Sequence, residues 1–239
     1  MAAVILLLII FSWYYMLFGM SMNMQPVATW SYADIAVLMM MWAIMMAGMM
    51  LPSAYPVVML VEQLNQKRIH RQASYTPTLF FVLGYLLAWT LYSVAISLIQ
   101  YGLHYWALLN PMMRSANPWF SAALLIAAGS YQFTPLKQAC LQRCRSPLSL
   151  LSLHWQEGIR GAVHLGFIHG QYCLGCCWFL MALLFVTGVM NLQWIFILTA
   201  VVLIEKVVAK GPYIEKALGL LLITLGVISA LSGGVGFLN

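Results

Sequence analysis

Between His169 and Cys177 the chain reads His-Gly-Gln-Tyr-Cys-Leu-Gly-Cys-Cys. On an α-helix, positions 169, 173, 176 and 177 stack on one stripe, so one imidazole and three thiols face the same way. Thiolate and imidazole are the ligands that suit Cu(I) or Zn(II), and a few such groups on one helix and its neighbours can close a site. Cysteine also serves as a small apolar filler. Three cysteines within five residues, one turn after a histidine, point instead to metal or redox chemistry.

Methionine supplies a second set of soft donors. Met39, Met40, Met41, Met45, Met46, Met49 and Met50 follow one another down a single apolar run, and Met20, Met22 and Met24 alternate just before it. A thioether is soft and uncharged, so it binds Cu(I) without burying an anion. The competing reading is packing, because methionine fills gaps and seven on one helix point in every direction. Met45 to Met50 lie at a depth along their helix that overlaps that of the thiols along theirs, and Met45, Met46 and Met49 are the candidate ligands of this run.

A third feature is Cys140-Leu-Gln-Arg-Cys144, two thiols one helical turn apart among Lys137, Arg143 and Arg145. Nearby cations favour the thiolate, which suits metal exchange or thiol chemistry. The five cysteines thus read as two groups, one in a basic loop and one inside an apolar segment. Asp34, Glu62 and the pair Glu205-Lys206 sit at the ends of apolar runs, where charges ordinarily snorkel to an interface. No phosphate-binding glycine loop, HExxH or serine nucleophile elbow is present, so conventional soluble-enzyme chemistry has no candidate.

The elements that position these groups follow from composition. The chain is 64% hydrophobic and 7% charged, where a soluble domain carries roughly 25% charged residues. A soluble globular fold is therefore excluded. Apolar runs near 2–19, 33–51, 78–101, 118–134, 162–189, 192–209 and 213–232 are read as about seven spans, six being the alternative, of an all-α polytopic transmembrane bundle. Residues 1–239 form one such domain, with the first run retained as a helix. Pro52 and Pro56 predict a kink or break near Leu51. Gly166, Gly170 and Gly175 predict that the long fifth run is tilted or broken.

Ten of the eleven Lys and Arg residues fall in alternate loops, with only Arg114 in the opposite set. The basic loops are predicted to be cytoplasmic, which puts the N-terminus inside and the C-terminus outside. Trp30, Tyr32, Tyr105, Trp106 and Trp119 then form an external aromatic belt, and residues 148–156 an interfacial segment beside His154. The net charge of +6 sets orientation and not a nucleic-acid partner, because the basic residues lie in short loops and form no tract. Cys173 and Cys177 lie 12 and 16 residues past Gly161, roughly 18 to 24 Å of helix rise. At that depth ionisable groups are costly and mark function.

Several strings carry a family resemblance: Met49-Met-Leu-Pro-Ser-Ala-Tyr-Pro56, Tyr131 to Pro147 with its two cysteines, His169 to Met181 with Cys-Leu-Gly-Cys-Cys-Trp at its core, Gly188-Val-Met-Asn-Leu192 and Glu205-Lys206. Over roughly Asp34 to Gly211 the chain resembles an uncharacterised prokaryotic family of predicted metal-binding integral membrane proteins. The resemblance implies metal binding in a multi-pass inner membrane protein. Residues and resemblance together favour a Cu(I)-handling protein, with Zn(II) as the other ion. Cys173 and Cys176 would bind with His169 or a methionine, and Cys177 stands on the same stripe. The lipid bilayer and a copper-dependent membrane or periplasmic protein are the expected partners. Two other readings stay open: a thiol oxidoreductase using the Cys173/Cys176 dithiol with a quinone, and a noncatalytic subunit of a larger membrane complex.

Overall fold

The computed structural model describes residues 1–19, 31–72, 76–106, 115, 117–146, 148, 151, 155–208 and 213–231. Met20, Met22, Met24, Trp30, Arg114, His154 and Lys210 lie outside them. The regular elements among the described residues are helices: α1 (Ala2–Tyr14), extended by a π turn at Tyr15–Gly19; α2 (Tyr32–His70); α3 (Thr78–Tyr105); α4 (Pro118–Tyr131); α5 (Pro135–Arg145); α6 (Gly158–Ala182), followed by one turn at Leu184–Thr187; α7 (Leu192–Leu203), extended by a π turn at Ile204–Val208; and α8 (Tyr213–Leu231). The expected all-helical class holds.

Five segments are long and apolar enough to cross a membrane: Ala2–Gly19, Tyr32–His70, Thr78–Tyr105, Gly158–Thr187 and Tyr213–Leu231. The expected runs 118–134 and 192–209 form the shorter α4 and α7. α4 ends at the turn Gln132-Phe133-Thr134 because Pro135 disfavours helix at the residue before it. Thr134 then caps α5 by accepting from the Lys137 N–H.

α2 opens on a capping box, in which Ser31 N–H donates to the Asp34 carboxylate at 2.8 Å and Ser31 Oγ accepts from Asp34 N–H. It then runs through Pro52 and Pro56 as one continuous helix, so of the kink or break expected near Leu51 a break does not occur. Side-chain donors converge on this stretch: the Met50 carbonyl accepts from Ser53 Oγ at 2.9 Å and from Tyr85 OH at 3.3 Å.

The glycines of α6 do not break it either. An added Cβ at Gly166 would overlap the Phe81 carbonyl, one at Gly170 would meet the Ala88 side chain at 2.6 Å, and one at Gly84 would overlap the Val163 carbonyl. These positions let α3 and α6 pack in parallel at backbone contact, as small residues do between apolar helices. The break comes later, at Leu183, before a turn that Gly188 ends at φ +100°. α4 and α8 pack antiparallel in the same way, through Gly129, Gly219 and Gly226. The core is lined by α2, α3 and α6, which is where the soft donors lie.

Candidate metal centre

α6 presents its stripe inward as its periodicity requires: His169, Cys173, Cys176 and Cys177 are all buried. The Cys173 thiol is the hub. Its sulfur is 3.0 Å from the Tyr85 hydroxyl and accepts from Lys206 Nζ at 2.7 Å. The thiols of Cys176 and Cys177 both donate to the Cys173 carbonyl at 3.0 Å. His169 stacks between Phe81 and Tyr85, and its Nδ1 is buried with no hydrogen-bond partner.

α5 closes the centre from another side. It packs along α6, and Cys144 is buried there. Cys140 lies one turn earlier against Gly175, where an added Cβ would stand 2.8 Å from its sulfur. The pair expected between two apolar runs lies on α5, with Cys144 buried and Cys140 half-buried. A basic amphipathic helix that carries apolar thiols on one face buries that face, and here it buries it on the stripe. Burial pushes the Cys140 thiol above its ordinary range, the Cys176 charge adds to this, and Arg143 opposes it.

α2 contributes one thioether, at the end of the depth-matched stretch Met45 to Met50. Met50 Sδ lies 3.8 Å from Lys206 Nζ, beside Ser53 Oγ at 3.5 Å and Cys177 Sγ at 3.8 Å from the same ammonium. Met45, Met46 and Met49 are buried in the core.

The second correction concerns Glu205 and Lys206, expected at an interface and found 2% and 7% exposed. The π turn that extends α7 carries both. Such a turn inserts an extra residue into the helix and is frequent at functional sites. Lys206 reaches the sulfurs, while Glu205 receives Lys137 Nζ on both carboxylate oxygens at 2.9 Å. Lys137 also donates to Gln132. Arg145 donates from Nε and Nη2 to the Glu205 carbonyl at 2.9 and 2.7 Å, and from Nη2 to Glu215 at 2.6 Å. α5, α7 and α8 are thereby tied together beside the thiols.

Sequence reasoning missed Lys206, Tyr85 and Ser53 as members of the centre. The one available signal was a Glu-Lys pair at the end of an otherwise uncharged apolar run. Among the described residues no three His, Cys, Asp or Glu side chains stand in closed ligating geometry. Two thiols are turned onto the Cys173 carbonyl, and an ammonium stands among the sulfurs. The donor set itself, thiols with a thioether and an unpartnered imidazole nitrogen, suits a soft ion of low charge.

Fold and centre together define a class: helical bundles with an apolar exterior and a buried cluster of soft donors. The chain belongs to the PpoB2 family, described as copper chaperone, whose family model matches residues 39–229. No curated protein and no solved structure matches it. Membership establishes a copper-related function and is consistent with copper binding and with copper proteins as partners. The match begins after Met20, Met22 and Met24.

Proposed function

We propose that the chain is a membrane-embedded chaperone that carries copper as Cu(I), its cargo, in the sulfur centre and hands it to a copper-dependent protein. The observation that supports this reading is that the sulfurs of Cys173, Cys177 and Met50 lie within 3.8 Å of one buried ammonium, Lys206 Nζ, with Cys176 buried on the same helix and Cys144 buried on α5, in a member of a copper chaperone family. Cys173 and Cys176 are the principal ligands, with His169 or Met50 completing the set. Loading requires Cys176 to rotate about χ1 and release the Cys173 carbonyl. The cost is small, on the order of one hydrogen bond, about 1 kcal/mol. Thiolate and thioether together hold Cu(I) with less buried negative charge than a closed set of ionised thiols around Zn(II).

Membrane embedding is supported by a surface that is apolar where a soluble protein would be charged. Leu79, Leu83, Leu87, Leu91 and Leu98 lie exposed along α3. The basic ends of α2 and α5 face the cytoplasm of a prokaryotic inner membrane in this reading. Reporter fusions that put residues 137–145 outside would overturn the orientation.

The test is anaerobic loading of the purified chain with Cu(I), followed by X-ray absorption. Sulfur-dominated two- or three-coordinate copper is expected in the wild type. Cys173→Ser and Cys176→Ser should lose most of the copper, and Cys140→Ser little. A chain that takes up no Cu(I), or copper retained in both Cys173→Ser and Cys176→Ser, would overturn the assignment.

A further inference from the structure

The buried charges divide unequally around the sulfur centre. Lys137 with Glu205 and Arg145 with Glu215 form two ion pairs, so that network is neutral by itself. Lys206 lies outside it. Its hydrogen-bond partners are Cys173 Sγ at 2.7 Å, Ser53 Oγ at 3.5 Å, and Met50 Sδ and Cys177 Sγ at 3.8 Å. Among the described residues no carboxylate pairs with it. An ammonium removed from water is stable only beside compensating negative charge, and here only sulfur is placed to supply it. The centre is therefore held to one net negative charge by a cation built into the π turn.

We propose that Lys206 is the specificity-determining residue of the copper centre, a fixed counter-charge that favours a monovalent over a divalent cargo. The inference rests on the reading of the centre as a Cu(I) carrier. Without copper, one thiolate balances the ammonium. When Cu(I) enters, two sulfur–copper bonds form, the second thiol loses its proton to solvent, and copper stays in its +1 state with no electron transferred. The two-thiolate complex again carries one negative charge, and Lys206 again balances it. A divalent ion on the same two thiolates is already neutral and leaves the ammonium uncompensated. It reaches balance only by recruiting a third thiolate, with the desolvation of a further anion.

Lys206 need not touch the cargo to act this way. Its ammonium lies within about 4 Å of three sulfurs, and at that range in a poorly solvated interior one unit charge changes a binding constant by well over tenfold. The ion pairs of Glu205 and Arg145 hold the turn that carries it, so its position is set by α5 and α8 and does not depend on the cargo.

The experiment uses the full chain in detergent. Cu(I) affinity is measured anaerobically by competition with bicinchoninate, and Zn(II) affinity by competition with a zinc-chelating dye, in the wild type, Lys206→Met and Lys206→Arg. The expected result is that Lys206→Met weakens Cu(I) and strengthens Zn(II), lowering the ratio of the two affinities by on the order of a hundredfold. Lys206→Arg, which keeps the charge, should hold the ratio near the wild-type value. If Lys206→Met fails to fold, Lys206→Gln makes the same charge change with a polar head. An unchanged ratio in a folded neutral variant overturns the proposal, as does a loss of both affinities by the same factor, which is the mark of a structural role. Either result leaves the copper carrier intact if the wild type binds Cu(I). A wild type that binds none overturns both.

Discussion

Glu205→Gln is the sharpest probe of the polar network that positions the centre. The two Glu205 oxygens each lie 2.9 Å from Lys137 Nζ, and the side chains are 0% and 2% exposed, so no solvent screens the pair. The substitution removes the negative charge. It leaves in place the carbonyl that Arg145 holds, so the π turn keeps its backbone anchor. Lys137 then remains buried with Gln132 as its neutral partner. Removing one member of a buried pair costs about 3 to 5 kcal/mol, whereas replacing both members by apolar groups is often neutral. At roughly 2 to 4 °C per kcal/mol for a chain of this size, Glu205→Gln should lower the Tm by roughly 6 to 20 °C. The double variant Lys137→Met/Glu205→Leu should recover most of the loss. Thermal unfolding in detergent, followed by circular dichroism, measures both. A Glu205→Gln protein within about 2 °C of wild type, or a double variant as unstable as the single one, would refute the reasoning.

Two further outcomes follow from packing and burial. Gly84→Ala should destabilise the chain by about 1 to 3 kcal/mol, because its Cβ would overlap the Val163 carbonyl and force α3 away from α6. Gly102→Ala, with nothing within 4 Å of its Cβ, should unfold no earlier than wild type, and equal losses at the two sites would contradict the packing. Cys140 should label slowly with maleimide at neutral pH. Its thiol is held above the ordinary range, so the reactive thiolate is scarce there and grows as pH rises. The rate should still be climbing at pH values where a free cysteine peptide has levelled off, and a pH profile that superimposes on that of the free peptide, after subtracting Cys140→Ser, would show an unperturbed thiol.

What the sequence determined by itself is what short-range rules control. A composition of 64% apolar and 7% charged residues leaves no way to satisfy backbone groups except helices, because strand edges and loops need water or partners. The stripe of His169, Cys173, Cys176 and Cys177 was legible because helical periodicity is local and needs no knowledge of the neighbours. The tertiary structure decided which other side chains meet that stripe. Cys144 lies 29 residues before Cys173 and Lys206 lies 33 after it. Nothing local distinguishes a basic helix that lies on a surface from one that folds against α6, or a lysine that reaches water from one that a π turn aims inward. That the Met50 sulfur reaches Lys206 was not legible for the same reason. On one helix every methionine is chemically equivalent, and only the docking of α2 against α6 and α7 sets which sulfur meets the ammonium.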